Sequence, residues 1–473
     1  MSELPPPGSH VHLIAVCGVG MASLAGLLQS RGYRVTGSDQ NVYPPMSTYL
    51  ADIGIQVLPG FRPEHVSPRP DLVVVGNAVS RTNPEAQTAL ELGIPRISFP
   101  QALGQFLIGS RSPVVVAGTP GKTTTAALAA WVFTRAGLDP GFFVGGVPVN
   151  FGSGWKVGAG RQVVIEGDEY DSAFFDKGPK FLHYRPEHVI LTSVEFDHAD
   201  IYRDLDHVKS AFRRLMEIVP ANGTLVACGD YAAATEIAAS ARCQRITYGD
   251  DAHADWRAGN VEFGSGRVLF EPYYKGKSDG PLEVSVIGRH NVQNALAVYV
   301  LARHMAMERT ELVEGFRTFA GVKRRQEIRG EQRGVLVIDD FAHHPTAVRQ
   351  TIEAIRSAYH GRRIWAVFEP RSNTSKRSLF EHEFAAAFTL ADRVLIAPVH
   401  QPEKIPEDDR LSVDSVVHEI NRTCGDDRAR KAEDSADIAK MIAADARPGD
   451  IALVMSNGGF DNVHERILRA LTG

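Results

Sequence analysis

Short β-branched apolar runs alternate along the chain with stretches whose apolar residues recur at helical spacing, the pattern of parallel strands joined by crossover helices. The first run, 12–17 (HLIAVC), leads through a glycine turn into a helix predicted over 21–30. A strand at 34–37 follows and ends at Asp39, and 72–75 (LVVV) with a helix over 83–92 extend the same region to about Ser110, where IGSRSP reads as a linker. A second sheet begins at 114–117 (VVVA), passes into AGTPGKTTT and a helix from Thr123, and takes strands 162–166, 188–192 and 224–227. From Trp256 to Ile287 the pattern changes to short alternating pieces between Gly turns (Val261/Phe263, Val268/Phe270, Leu282/Val284/Val286), which predicts antiparallel hairpins added to the middle region. A helix after His290 closes that region, and the charged segment 321–330 (GVKRRQEIRG), which has no apolar period, reads as the next boundary. Strands at 335–339, 364–368, 393–396 and 451–455 then alternate with helical stretches. The expectation is a three-domain α/β chain, divided 1–110, 111–322 and 323–473.

Composition narrows the class. A length of 473 residues fits three domains at roughly 150 residues each. With 44% hydrophobic and 23% charged residues the chain is globular, not disordered, collagen-like or coiled-coil. A net charge of -5 disfavours a dedicated nucleic-acid binder or a basic membrane-surface protein. MSELPPPGSH lacks the basic start and apolar core of a secretory signal. No apolar run approaches the roughly 20 residues that span a bilayer, so no stable membrane association is expected. Cys17, Cys228, Cys243 and Cys424 form no CxxC pair and read as buried thiols of a reducing cytoplasm.

Gly118-Thr119-Pro120-Gly121-Lys122-Thr123 follows a strand and opens a helix, a setting in which loop N–H groups and the helix dipole form an anion nest. Lys122 suits β/γ-phosphates and the Thr123 hydroxyl suits Mg²⁺, although Val116 stands where the first Gly of GxxxxGK[ST] belongs. A cation held by one hydroxyl needs further hard ligands. Glu166, heading the acidic run Glu166-Gly167-Asp168-Glu169, and His198 in VEFDHAD both follow strands whose C-terminal ends converge beside the loop. By itself His198 reads more readily as a packed or exposed histidine. GVGMAS, with Gly18, Gly20 and Met21, also follows a strand, and Asp39 lies about 20 residues on; Ser23 replaces the third Gly of a dinucleotide fingerprint, so NAD and another diphosphate both remain open.

AGTPGKTTT, the acidic run from Glu166, the His198 of a DH step, GRHNVQNA, KRRQ and DDFAHHPT occur in the order seen in the Mur ligases. The chain resembles that family of ATP-dependent amide ligases over nearly its whole length. GSDQNVYPPMS, GGVPVNF, EYDSAFFDK, EFDHADI, EPRSNT and MSNGGF resemble the branch that attaches a free murein tripeptide. The sister branch, which adds L-alanine, shares DDFAHHPT but differs in the others. Pro120 departs from the family, which usually carries His there.

The resemblance implies a Rossmann-like first domain, a central P-loop ATPase-type parallel sheet with added β-hairpins, and a Rossmann-like third domain. It implies ATP on Gly118, Thr119, Gly121, Lys122, Thr123 and Thr124, with Mg²⁺ on Thr123, Glu166 and His198 and Glu169 in reserve. Lys122, His198 and Glu166 are the catalytic set. His290, Asn291 and Asn294 would meet adenine, although without the family they read as a polar helix cap. Arg325 and His344, with His343 beside it, would reach phosphates, and Asp340 the ribose. The first domain would bind the UDP of UDP-N-acetylmuramate through Gly18, Gly20, Met21, Asp39, Asn77 and Ser80, with Asn83 a weaker candidate.

The third domain would bind L-alanyl-γ-D-glutamyl-meso-diaminopimelate through Arg371, Ser372, Asn373, Ser456 and Asn457, Arg371 serving as a carboxylate fork. Read alone, Arg371 fits equally an ion pair with a neighbouring acid. The carbamylated lysine of several relatives would fall at 212–213, where this chain has Phe and Arg and Lys209 is out of register, so no carbamylation is expected. The implied reaction passes through an acyl phosphate on the lactyl carboxylate, which the peptide amine attacks. The implied setting is peptidoglycan synthesis and recycling in a bacterial cytoplasm, bearing on cell wall biogenesis, cell shape and division. The enzyme is expected to be a monomer or weak homo-oligomer. UDP-N-acetylmuramate–L-alanine ligase is the alternative. A nicotinamide oxidoreductase or an ATP-driven switch leaves either the phosphate loop or the metal-ligand set without a use.

Overall fold

A computed structural model describes residues 4–42, 46–264, 266–425 and 427–472; the Tyr-Pro-Pro of GSDQNVYPPMS, residues 43–45, lies outside them. The first sheet is parallel throughout, in the order β3 (Val57–Pro59), β2 (Arg34–Asp39), β1 (His10–Ile14), β4 (Leu72–Val75), β5 (Arg96–Ser98). The expected first strand at 12–17 is corrected to His10–Ile14. Ala15 adopts φ +68°, and the amides of Ala15 and Val16 both donate to Ser38 O (2.9 and 3.0 Å), so the chain leaves the ladder while its residues are still apolar. Helix α1 (Val19–Ser30) starts two residues earlier than expected, and Asn83 caps the helix Pro84–Glu91 by accepting from the Glu85 and Ala86 amides.

The central sheet has eleven strands among the described residues. Its parallel part runs β14 (Gln244–Tyr248), β13 (Thr224–Cys228), β12 (His188–Leu191), β6 (Ser112–Ala117), β9 (Gln162–Gly167), β7 (Gly141–Phe143), with β8 (Trp155–Lys156) antiparallel at the edge. On the other side β15 (Trp256–Gly264) and β16 (Arg267–Tyr274) form the expected hairpin, extended by β17 (Lys277–Ser278) and β18 (Leu282–Val284). Val268, Phe270, Leu282 and Val284 are fully buried while Leu269 is 40% exposed, the alternation of a sheet with one wet face. A separate hairpin pairs β10 (Asp171–Ala173) with β11 (Asp176–Pro179). Helix α2 (Lys122–Arg135) follows β6, and α3 (Arg289–His304) covers the same face.

The third sheet takes the order β19 (Glu327–Gln332), β20 (Val335–Asp340), β24 (Ile451–Met455), β21 (Ile364–Phe368), β22 (Arg393–Ile396), β23 (Ala429–Lys431), antiparallel only at β19. The charged segment 321–330, read as a boundary alone, therefore also contributes an edge strand. The strand residues Glu327–Gln332 are exposed or half-buried and none is buried, so nothing in the strand needed to be apolar. Helix α4 (Pro345–Ala358) follows β20. One continuous core joins Leu24 and Leu27 of α1 and Phe99 to Phe143, Ile165 and Leu191, seating the first domain on one face of the central sheet. All four cysteines are free; Cys228 and Cys243 are buried, but Cys17 and Cys424 are only half-buried, which corrects the expectation for those two.

Candidate active site

The phosphate loop is built by two glycines in left-handed conformations, Gly118 (φ +136°) and Gly121 (φ +93°). A Cβ at Gly118 would meet Thr192 Oγ1 just after β12, and one at Gly121 would lie 2.8 Å from Asn294 Oδ1 of α3, so these neighbours approach too closely for a side chain at either position. Lys122, the first residue of α2, turns back over the loop and donates to Gly118 O (2.6 Å) and to Glu169 Oε2 (2.9 Å). Burial pulls the Lys122 ammonium down, yet Glu169, Asp168 and Glu166 together hold it above its ordinary value. Thr124 sits half-buried in the first turn. Pro120 leaves the loop intact: its carbonyl accepts from Thr192 Oγ1 at 2.7 Å.

Glu166, at the C-terminal end of β9, accepts from the Thr123 hydroxyl (2.8 Å) and from the Gly145 amide (2.7 Å). Burial and the neighbouring Asp168 push its carboxyl up. Among the described residues Glu169 Oε1 is buried without a hydrogen bond and faces His198 Nε2 across 3.4 Å. Burial lowers the imidazole, but Glu169 and Asp197 outweigh it and raise His198 to about 9. The structure thus brings Thr123 and Glu166 together, while His198 pairs with Glu169. No three His, Cys, Asp or Glu side chains among the described residues form a preassembled metal cluster. A hydroxyl on a carboxylate, with the buried Glu169 Oε1, which makes no hydrogen bond, close by, is nonetheless a hard-oxygen donor set that fits Mg²⁺.

The third domain closes over this edge. Arg325 Nη2 donates to Thr123 Oγ1 (3.2 Å), and its guanidinium stacks on Phe341 at 4.9 Å. Between the loop and α3 a cavity of about 620 Å³ is lined by Gly121, Thr192, Asp230, Tyr231, His290 and Asn294. His290 is pushed down to about 4 by burial and by Arg325, so it enters the cavity as a neutral ring. Asn291 does not line the cavity; its amide donates to Ile287 O (2.9 Å) and Gln326 Oε1 (3.3 Å). Asp340 is engaged by the Gln326 and Ala342 amides (2.9 and 2.8 Å) and braces its own loop. His344 Nε2 donates to Phe196 O (3.1 Å), and His343 Nδ1 donates to Phe341 O (2.9 Å).

On the third domain, Arg371 lies 3.5 Å from Glu369 Oε1, the neighbouring-acid pairing, and Glu369 Oε2 accepts from the Ser456 hydroxyl at 2.5 Å. Arg371, Ser456 and the buried, unbonded Asn457 Oδ1 therefore gather at the C-terminal edge of the sheet. Ser372 Oγ bonds Ser375 Oγ (2.8 Å), and Asn373 donates to Asp200 (2.9 Å). Sequence reasoning missed Lys376, Lys404 and His400. Arg371, Lys376 and Lys404 each push the half-buried His400 down alongside its burial, and Lys376 is lowered by burial, by Lys404 and by Arg371. Cations separated in sequence and gathered by loops carry no linear signal.

In the first domain Gly18 precedes α1 with Val19 exposed, whereas the Met21 side chain is buried. The Asp39 carboxylate accepts from the Cys17 amide (2.8 Å) and the Asn41 amide (2.9 Å), so it shapes the loop after β1. Gly76 packs against Ile14 O, Ala15 and Met21, which brings Asn77 to the same edge. Ser80 is exposed and bonds Thr82. Lys209 lies away from these edges, paired with Glu236 at 2.8 Å, and Phe212 is core.

Residues 10–111 match the Mur ligase family catalytic domain, 116–302 the Mur ligase middle domain, and 324–458 the Mur ligase glutamate ligase domain. The chain is 40% identical to the UDP-N-acetylmuramate–L-alanyl-gamma-D-glutamyl-meso-2,6-diaminoheptandioate ligase of Escherichia coli K12, covering 98% of each chain. It is 34% identical to the UDP-N-acetylmuramate–L-alanine ligase of an Anaeromyxobacter species, covering 98% of this chain and 97% of that one. The solved structure of a murein peptide ligase from Psychrobacter arcticus superposes with a TM-score of 0.74 at 35% identity, over 98% of this chain and 99% of that one. Three successive domain matches and full-length identity of this degree make the chain a member of the Mur ligase family.

Proposed function

We propose that this chain is an ATP-dependent ligase that joins UDP-N-acetylmuramate to L-alanyl-γ-D-glutamyl-meso-diaminopimelate in peptidoglycan recycling. ATP would lie with its phosphates on Gly118–Thr124 and its base in the cavity beside neutral His290 and Asn294. Lys122 and Arg325 would draw charge from the transferring phosphoryl group, where most of the barrier lies. Thr123 and Glu166 would hold Mg²⁺, with Glu169 and His198 close by; when bound it offsets repulsion between the two reacting anions. A lactyl carboxylate oxygen attacks the γ-phosphorus, the bond to the β-bridging oxygen breaks, and ADP leaves. The peptide amine then attacks the acyl carbon and phosphate departs with the former carboxylate oxygen.

Gly18, Gly20, Asp39 and Asn77 would face the UDP moiety, with domain boundaries near residues 110 and 322. No helix among the described residues is long and apolar enough to cross a membrane, which suits an enzyme of cytoplasmic nucleotide substrates. The observation that carries the choice of amine is the gathering of Arg371, Lys376 and Lys404 around His400, whose ring burial and these three cations push down, while Lys376 is itself lowered by burial, Lys404 and Arg371. L-Alanine has one carboxylate; the tripeptide has several, and Arg371, Lys376 and Lys404 outnumber Glu369 and Glu403, the acids beside them, which leaves positive charge for a substrate carboxylate to answer.

Phosphate release with Mg-ATP and UDP-N-acetylmuramate, with either amine added, tests this reading. Release with the tripeptide, and a product of the joined mass, is expected. Release with L-alanine alone would transfer the chain to the sister activity, and none with either amine would remove the ligase reading.

A further inference from the structure

The loop after β12 carries His198, and the third domain grips it along its length. Thr346 Oγ1 donates to Glu195 Oε2 (2.6 Å), and His344 Nε2 donates to Phe196 O (3.1 Å). Thr374 Oγ1 donates to Asp197 Oδ1 (2.6 Å) and accepts from the His198 amide (3.0 Å), while Asn373 Nδ2 donates to Asp200 Oδ2 (2.9 Å). The other side of the loop holds the phosphate loop, because the Glu195 amide donates to Thr119 Oγ1 (2.9 Å). His198 itself sits at φ +54°, a left-handed conformation that a non-glycine residue keeps only where its surroundings over-determine it. Two of the bonds that over-determine it come from one hydroxyl, and that hydroxyl belongs to the loop Arg371–Thr374 of the other domain.

We propose that Thr374 is a positioning residue: its hydroxyl, offered by the peptide-binding loop, locks Asp197 and the His198 backbone, so His198 reaches its working conformation only when the third domain closes with that loop formed. The inference rests on the ligase reading for what the two loops bind. Thr374 is 2% exposed and Asp197 8%, so the bond is shielded from water and its loss is not made good by solvent. Occupancy at Arg371 and occupancy at the phosphate loop then share one mechanical element, and by linkage each ligand tightens the other.

The test compares Thr374→Val, Thr374→Ala and Thr374→Ser in the full chain. Removing a buried hydrogen bond to a charged group should lower kcat by about 10- to 100-fold in the Val and Ala variants. The KM for UDP-N-acetylmuramate, bound on the first domain, should stay within about twofold, and Thr374→Ser should restore kcat. Binding of Mn²⁺, followed by electron paramagnetic resonance with a non-hydrolysable ATP analogue and the tripeptide present, should weaken by about tenfold in Thr374→Val and recover in Thr374→Ser. Circular dichroism separates a folding defect, and the Ala variant replaces the Val variant if the latter packs badly. Wild-type kcat and wild-type Mn²⁺ affinity in both variants would overturn the proposal. If the wild-type chain itself fails to release phosphate with the tripeptide, the ligase reading falls while the Mn²⁺ measurement, which needs no turnover, still decides the latch.

Discussion

Replacing Lys122 by methionine is expected to reduce ATP-dependent phosphate release by on the order of 10³-fold, and to destabilise the fold as well. The ammonium is the positive centre of a buried acidic pocket: it bonds Glu169 at 2.9 Å and offsets Asp168 and Glu166 behind it. Methionine preserves the volume and much of the packing, so the change isolates the charge. Stranding paired carboxylates out of water costs about 3–5 kcal/mol, which chemical denaturation at neutral pH should register. The catalytic loss should fall on kcat more than on the KM for UDP-N-acetylmuramate, whose candidate residues lie on another sheet. Release within tenfold of wild type would mean that Lys122 is only a structural counter-ion.

Glu166→Gln should separate those two effects. The glutamine carbonyl oxygen can still accept from the Gly145 amide, which now bonds one carboxylate oxygen at 2.7 Å, while its NH2 faces the Thr123 oxygen, now 2.8 Å from the other, and can donate to it. Burial and Asp168 already oppose the charge on Glu166, so its removal should leave stability unchanged or slightly raised. Activity, in contrast, should fall by on the order of 10²- to 10³-fold, because a neutral amide is a poor partner for Mg²⁺. A Mg²⁺ titration of phosphate release should show saturation moved to higher concentration. Saturation at the wild-type concentration would remove Glu166 from the proposed cation site.

The strands buried on both faces were the legible ones. Leu72–Val75, Ile364–Phe368, Arg393–Ile396 and Ile451–Met455 read as continuous apolar runs and occur at those bounds. Edge strands carry no such requirement, which is why Glu327–Gln332 read as a charged boundary and Trp155–Lys156 and Ala429–Lys431 went unread; Gly141–Phe143, buried between two strands, is only three residues long and opens on glycine, too short a run to register. Strand β1 was misplaced because Ala15, Val16 and Cys17 are apolar for packing while their amides serve the turn and Asp39. At the site, the phosphate loop was legible since glycines at left-handed positions and a lysine opening a helix are local devices. Contacts across the domain seam were not: Thr374 on Asp197 and Thr346 on Glu195 join residues far apart in the chain. The division of labour in the acidic run was also hidden, because Glu169 becomes the partner of Lys122 and His198 only through the turn that follows β9.

The claim that the lactyl carboxylate is activated as an acyl phosphate can be followed with oxygen. UDP-N-acetylmuramate labelled with ¹⁸O in both carboxylate oxygens, incubated with Mg-ATP, the tripeptide and the enzyme, should yield inorganic phosphate carrying a single ¹⁸O and a ligated product retaining the other in its new amide carbonyl. Unlabelled phosphate accompanying ligation, or label appearing in AMP, would contradict the account.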